Sequence, residues 1–178
     1  MSVQNKTERA FIAVGSNIAP ESHIMQALGM LAHRVQIREI STVYLTQAEG
    51  RPEQEPYYNC VVEIETGLGP LELKEILKDI EEALGRVRGP DKFAPRTIDL
   101  DLIVYDSLRM SIDGVILPDP EIQNRSYLAE PLRELAPGLV LEGMGSVDEL
   151  AAALRGKHEM EPLREYTGLL RRMLEYEH

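Results

Sequence analysis

Residues 96–106 read RTIDLDLIVYD, and their period of two constrains the fold more than any other stretch of the chain. Ile98, Leu100, Leu102 and Val104 fall on one face of such a strand, and Asp99 and Asp101 share the other. Residues two apart on a strand stand about 7 Å apart. Carboxylates that close resist ionising together unless a cation lies between them. A hard divalent metal held by oxygen ligands resolves the conflict. Arg96, set by Pro95, stands three residues before Asp99, so a phosphate-type cation adjoins the acidic pair. A solvated edge strand with acids facing water is the alternative. The aliphatic back of the strand and the basic residues before it weigh against that alternative.

The flanking sequence supplies the rest of a sheet. Residues 10–16 (AFIAVGS) form a short apolar run ending in Gly15-Ser16. Pro20 and Glu21 start a helix with Ile24, Ala27, Leu28 and Leu31 at helical spacing. Residues 35–46 alternate and predict one strand; residues 59–66 predict another, with Cys60, Val62 and Ile64 on one face and Tyr57 and Asn59 facing the opposite way. Pro70 opens a second helix, striped by Leu73, Ile76, Leu77, Ile80 and Leu84 and closed by Gly85. The order strand–helix–strand–strand–helix–strand is that of an α+β, ferredoxin-like βαββαβ core. It predicts an antiparallel sheet with both helices on one face and the other face free for a site. Residues 107–118 read as an extra hairpin turning at Asp113-Gly114. Ser146 and Glu149 form a capping box for a helix to about Leu154. Residues 160–176 read as an amphipathic helix with Leu163, Tyr166, Leu170 and Met173 on one side. At 178 residues the chain suits a single domain, with 157–178 as a C-terminal helical extension that packs back on it or, less simply, meets a second copy.

Charge narrows the class of partner. The formal net charge is −11 with no long basic stripe, which argues against nucleic acid or an anionic membrane. Against that background GRVRGPDKFAPR, residues 85–96, carries a net +3 through Arg86, Arg88, Lys92 and Arg96 against Asp91. Arg86 and Arg88 leave a helix end, where a cation relieves the C-terminal dipole. That role accounts for one arginine better than for three. Guanidinium forks match phosphate oxygens, so the segment reads as a polyphosphate clamp, and Arg125 in NRSY can add to it. There is no Walker-type loop and no Gly-rich dinucleotide fingerprint. His23, His33, His158 and His178 are scattered and read as surface or helix residues. The polar first residues, the absence of a long apolar run and the lone Cys60 lead to the expectation of a cytoplasmic protein.

Tyrosines cluster where phenylalanine is scarce and tryptophan absent: Tyr57 and Tyr58 precede Asn59, and Tyr127 follows Arg125. Two rings can cover a core edge, or sandwich a flat heterocycle whose edge an amide reads.

With these residues in view, the chain from about residue 10 to 154 resembles the 6-hydroxymethyl-7,8-dihydropterin pyrophosphokinase family of folate biosynthesis. GSN at 15–17, the Tyr57/Asn59 pair, GRVR at 85–88 and PRTIDLDLIVYD at 95–106 carry the likeness, the last string being the specific one. The resemblance implies transfer of diphosphate from ATP to the pterin hydroxymethyl group, with release of AMP. It implies Asp99 and Asp101 as ligands of two magnesium ions, and Arg86 and Arg96 as catalytic partners beside them. It implies nucleotide contacts from Glu81, Arg86, Arg88, Arg96, Leu102 and Arg125. Tyr57 and Tyr127 then stack on the pterin, and Thr46 and Asn59 hydrogen-bond it. The partners expected are these two small molecules, and the protein a monomer or weak homodimer. Asp119 stands where the family has a histidine, Phe93 where some relatives have tryptophan, and Gln47 where proline often follows the threonine. Another metal-dependent phospho- or nucleotidyltransferase, or a non-catalytic ligand sensor of the same fold, are the rival readings.

Overall fold

The computed structural model describes residues 6–176. Its strands are β1 (Glu8–Ser16), β2 (Gln36–Ile40), β3 (Tyr44–Thr46), β4 (Tyr57–Thr66), β5 (Asp99–Tyr105), β6 (Met110–Ile112), β7 (Val115–Leu117), β8 (Val140–Leu141), β9 (Gly145–Ser146) and β10 (Met160–Pro162). Its helices are α1 (Pro20–Ala32), α2 (Pro70–Ala83), α3 (Ser126–Leu135), α4 (Val147–Ala153) and α5 (Arg164–Glu175), with a short 3₁₀ turn at Pro120–Gln123. His178 lies outside the described residues.

The main sheet runs β10–β3–β4–β1–β5, with β2 also paired to β4, and every pairing is antiparallel. This is the α+β, ferredoxin-like arrangement the element order predicts. α2 begins at Pro70, with the Glu72 carboxylate accepting from the Gly69 N–H at 3.3 Å. Gly85 follows its end at φ 81°, the left-handed position that favours glycine. The hairpin also forms where predicted: β6 and β7 turn through Asp113 (φ 50°) and Gly114 (φ 77°), a primed turn matched to strand twist. Ser146 caps α4 by accepting from the Glu149 N–H at 3.1 Å.

Four expectations are corrected. The single strand at 35–46 is broken in two. Ser41 Oγ accepts from the Val61 N–H at 2.9 Å, Thr42 gives its N–H to Glu134, and Val43 gives its own to Thr167 Oγ1. Backbone groups that would extend a ladder are instead taken by side chains. In β5 the alternation fails after Leu102: Ile12 pairs with Leu102 but Phe11 with Val104, so Ile103 is the extra residue of a bulge. Val104 therefore joins Ile103 on the face opposite Leu100 and Leu102. Residues 160–162 form a strand on β3 rather than the first turn of a helix. Leu163, Tyr166, Leu170 and Met173 still pack on the body as their spacing predicts.

The fourth correction concerns the free face. One core lies between the sheet and α1, α2 and α5, around Ile12, Leu28, Leu31, Leu73, Leu77, Ile98 and Leu170. The opposite face is also covered at one end, where Phe11, Val61, Ile103 and Val104 pack against Leu132, Val147 and Ala151 of α3 and α4. Only the end bearing Gly15, Tyr57, Asn59, Asp99 and Asp101 is left open, and a cavity occupies it.

Candidate active site

Strand register sets the geometry. Gly15 on β1 pairs with Asn59 on β4 and with Asp99 on β5, so these three residues form one row across the sheet. At roughly 4.8 Å per strand, the amide and the carboxylate stand about 10 Å apart, across a residue with no side chain. A Cβ on Gly15 would lie 2.8 Å from Asn59 Oδ1, so the glycine is what lets that oxygen lie over the sheet. Ala13 pairs with Asp101, which puts both aspartates on the cavity side. Ser16 and Asn17 tie this row to the clamp segment. Ser16 Oγ donates to Thr97 O at 2.6 Å, and Asn17 Oδ1 accepts from the Arg96 N–H at 2.8 Å. Asn17 Nδ2 also donates to Glu55 O at 3.2 Å, so the tripeptide GSN fastens two loops to one strand end.

The acids and arginines interlock. Arg86 Nη1 lies 3.0 Å from Asp99 Oδ1 and 3.1 Å from Glu81 Oε2, and Arg96 Nη1 lies 2.5 Å from Asp99 Oδ2. Arg88 adds a contact to Glu81 at 2.9 Å. Glu81 is only 3% exposed, and burial, with Asp99 adding to it, pushes its carboxyl up to about 7 despite the two arginines. Asp101 opens onto the cavity and forms no ion pair among the described residues. Although its side chain is exposed to the cavity, the surrounding walls take part of its water, and with the charges of Asp99, Glu81 and Asp119 this pushes its carboxyl up to about 7.

The cavity has a volume of about 550 Å³ and brings together Thr46, Tyr57, Asn59, Arg96, Asp99, Asp101, Arg125 and Tyr127, eight of the residues singled out from the sequence. Asn59 Nδ2 donates to Thr46 Oγ1 at 2.6 Å, leaving the amide oxygen for a ligand. Asp119, Gln47 and Phe93 also line it. Asp119 Oδ1 accepts from the Glu121 N–H at 2.9 Å, capping the 3₁₀ turn. Arg125 is paired with Glu121 at 3.0 Å and with Glu49 at 3.7 Å. The loops 47–56 and 86–95 are joined above the cavity by Arg51–Asp91 at 2.9 Å and by Gln54 Nε2 donating to Phe93 O at 2.8 Å.

Four expected residues do not line the cavity. Arg86 stands behind it and bonds both Asp99 and Glu81, and Arg88 adds a contact to Glu81. The Leu102 side chain is packed in the first core, so only its backbone on β5, an edge strand among the described residues, can meet a nucleotide. His158, expected at the surface, is instead largely covered beside Tyr127, their ring centroids 5.3 Å apart. Glu49, Gln54 and His158 carry no motif, and their role comes only from packing. Ser16 and Asn17 lay in view within GSN but signalled no task.

Fold and cavity together define a class: α+β proteins of ferredoxin-like topology with a charged cleft and tyrosine walls at one end of the sheet. The comparisons make that class specific. The family model 7,8-dihydro-6-hydroxymethylpterin-pyrophosphokinase matches residues 11–137, and the chain belongs to this family. A Bacillus subtilis 2-amino-4-hydroxy-6-hydroxymethyldihydropteridine pyrophosphokinase is 36% identical over 129 residues, covering 71% of this chain and 77% of that one. The Pseudomonas aeruginosa protein of the same name is 33% identical over 149 residues, covering 82% and 91%. A solved Plasmodium falciparum HPPK-DHPS triple mutant superposes with a TM-score of 0.68 at 13% identity, covering 88% of this chain and 46% of that one. That likeness is of fold alone, and this chain spans less than half the length of the solved one.

Proposed function

We propose that the cavity seats the pterin between Tyr57 and Tyr127 and the triphosphate of ATP against Arg96 and Arg125, with Asp99 and Asp101 turned to the metal that accompanies the nucleotide. The reaction is that of the family: diphosphate passes from ATP to 6-hydroxymethyl-7,8-dihydropterin in folate biosynthesis. The row Asn59–Gly15–Asp99 supports this reading above all. It sets a group that reads a heterocycle edge about two strand spacings from a carboxylate beside phosphate-binding cations.

The donor set fits magnesium. Asp99 and Asp101 are hard oxygen donors, and among the described residues no third acid, histidine or cysteine joins them in a metal-holding group. Magnesium takes few protein carboxylates and completes its shell with water and phosphate. Both Asp99 oxygens touch a guanidinium, but each keeps a second lone pair. We assign two magnesium ions, whose bound charge would offset that of the phosphate oxygens.

The protein's own part is positioning and charge. The hydroxymethyl oxygen forms a bond to the β-phosphorus as the bond from that phosphorus to the α–β bridging oxygen breaks; AMP leaves with the electron pair, and the hydroxyl proton passes to solvent water. Arg96, and Arg125 once released from Glu49, neutralise charge growing on the transferred and leaving groups. Arg86 and Arg88 hold Asp99 and Glu81 in place. No side chain in the cavity is placed as a dedicated base, so alignment carries most of the rate. Loops 47–56 and 86–95 close over both substrates and keep water from the nucleotide. The buried single Cys60 suits a reducing cytoplasm, and a monomer binding only these small molecules satisfies the site.

Incubation with ATP, magnesium and the hydroxymethyl dihydropterin tests the reading. AMP and the pterin diphosphate are the expected products. Pyrophosphate release would move the chain to nucleotidyl transfer, and an Asp99→Asn variant that still releases AMP at the parental rate would remove Asp99 from the metal site.

A further inference from the structure

The family match ends at residue 137, yet the chain beyond it packs against residues that line the cavity. β10 extends the sheet along β3, pairing Met160 with Thr46. Just before it, His158 stands between the N-terminus of α3 and the loop after β3. Its Nε2 lies 3.3 Å from Glu49 Oε1, and its Nδ1 lies 3.0 Å from Ser126 Oγ and 3.3 Å from the Ser126 nitrogen. A carboxylate offers only lone pairs, so Nε2 carries the proton that Glu49 accepts. The Ser126 hydroxyl has one proton for two acceptors, Leu154 O at 2.9 Å and Nδ1 at 3.0 Å, and the Ser126 N–H also points to Nδ1, which ties this junction to the end of α4. The imidazole meets the Tyr127 ring edge-on, at an interplanar angle of 70°. The side chain is 17% exposed.

We propose that His158 is a positioning residue for the pterin side of the site, a task performed by the C-terminal segment of this chain. One imidazole joins three parts of that wall: Glu49 of the loop after β3, Ser126 at the start of α3, and the ring of Tyr127. Tyr127 has few rotors to lose, and a neighbour that fixes its plane prepays part of the ordering that binding requires. Glu49 is also shared, with Oε1 toward His158 and Oε2 toward Arg125. His158 thus holds one oxygen of the loop carboxylate while the other keeps its 3.7 Å contact with Arg125. The β10–β3 pairing fixes the same wall from its other end, at Thr46. The proposal rests on the reading of Tyr57 and Tyr127 as the pterin slot.

Steady-state kinetics with each substrate varied, on His158→Ala, His158→Gln and Tyr127→Ala, tests it. His158→Ala is expected to raise KM for the pterin roughly fivefold or more, with KM for ATP within about twofold and kcat largely kept. His158→Gln retains an N–H for Glu49 and is expected to recover most of the loss. An unchanged pterin KM in His158→Ala, an equal rise for both substrates, or no rescue by glutamine overturns the proposal. Tyr127→Ala separates the two readings: a raised pterin KM there with none in His158→Ala sinks the His158 role alone, whereas no effect in Tyr127→Ala removes the slot and this role with it. If His158→Ala does not fold, Glu49→Ala probes the same contact from its other end, and an unchanged pterin KM in that variant is equally decisive against it.

Discussion

Arg86 holds Asp99 from behind the cavity, its Nη1 3.0 Å from Oδ1, while the same nitrogen reaches Glu81 at 3.1 Å. The guanidinium is 8% exposed and Glu81 3%. One cation therefore offsets two carboxylates, one buried and one at the cavity edge. It also bonds Ile98 O at 3.0 Å, which fixes the strand entry on which Asp99 begins. Arg86 thus holds the acids of the site from behind the cavity.

Replacing Arg86 by alanine is expected to lower stability by about 3 kcal/mol, because breaking a buried pair strands the remaining charge. Arg88 still touches Glu81, which keeps the loss at the low end of the range for such pairs. Chemical denaturation of the parent and variant measures it. A loss below about 1 kcal/mol would show that Glu81, its carboxyl already near 7, takes up a proton instead of standing charged and unpaired.

With Asp101 as the proposed metal ligand, nucleotide binding is expected to depend on pH. Its folded-state carboxyl is raised to about 7 from an ordinary value of 3.8, so in the free protein it remains largely protonated until the pH nears 7. The raised value means that this group costs stability increasingly as pH climbs from about 4 to 7. A cation bound there must displace the proton, so magnesium–nucleotide affinity is expected to rise with pH to about 7 and level off above it. Calorimetry with magnesium and a non-hydrolysable ATP analogue at pH 6 and pH 8 should show roughly tenfold tighter binding at the higher pH. Asp101→Asn should remove the dependence, and a flat profile in the parent would take Asp101 out of the metal site.

The sheet and the cluster of ligand-facing residues were legible because they rest on local patterns. The alternation at 98–102 told which face Asp99 and Asp101 occupy, and parity on β4 put Tyr57 and Asn59 opposite Cys60. What escaped notice depends on contacts distant in sequence. Nothing within 35–46 announces that Glu134 and Thr167 will take the N–H groups of Thr42 and Val43 and split the strand. The bulge at Ile103 reverses the facing of Val104 without any glycine or proline to mark it. His158 lies 109 residues from Glu49, its partner at the cavity wall, so its position has no trace in spacing. The cover that α3 and α4 give to half of the second sheet face was equally hidden, because their apolar stripes do not say which surface they meet.

Asp119 places a carboxylate in the cavity where the phosphates are expected. Burial, with Glu121 adding to it, raises its carboxyl, while the Glu121 N–H it caps and nearby Arg125 pull it back. Asp119→Asn keeps the acceptor that caps the 3₁₀ turn and removes the charge. It is expected to lower KM for ATP about threefold, with the fold intact by thermal melting, since a like charge beside a phosphate costs on the order of 1 kcal/mol at this depth. An unchanged KM would show that Asp119 points its charge away from the bound nucleotide. Asp119→His tests the same position less cleanly, because it sacrifices the cap along with the charge.

Gly15 lies between the amide and the carboxylate of the site, and its lack of a side chain makes room for the Asn59 amide oxygen. It sits between Asn59 and Asp99 in the sheet, and a Cβ there would stand 2.8 Å from Asn59 Oδ1 and 3.8 Å from Tyr57 Cδ1. The backbone itself has no need of glycine's freedom at this point. Its φ is not positive, so the constraint is space alone. Gly15→Ala is therefore expected to cost only about 1 kcal/mol of stability, the range of mild overpacking. The displaced amide oxygen is the one proposed to read the pterin, and a shift of that size is expected to raise KM for the pterin roughly tenfold while KM for ATP changes far less. Kinetics with each substrate varied in turn, beside thermal melting, separates the effects. An equal rise for both substrates would mean that the alanine moves the strand as a whole, and that Asn59 is not the point at which this glycine matters.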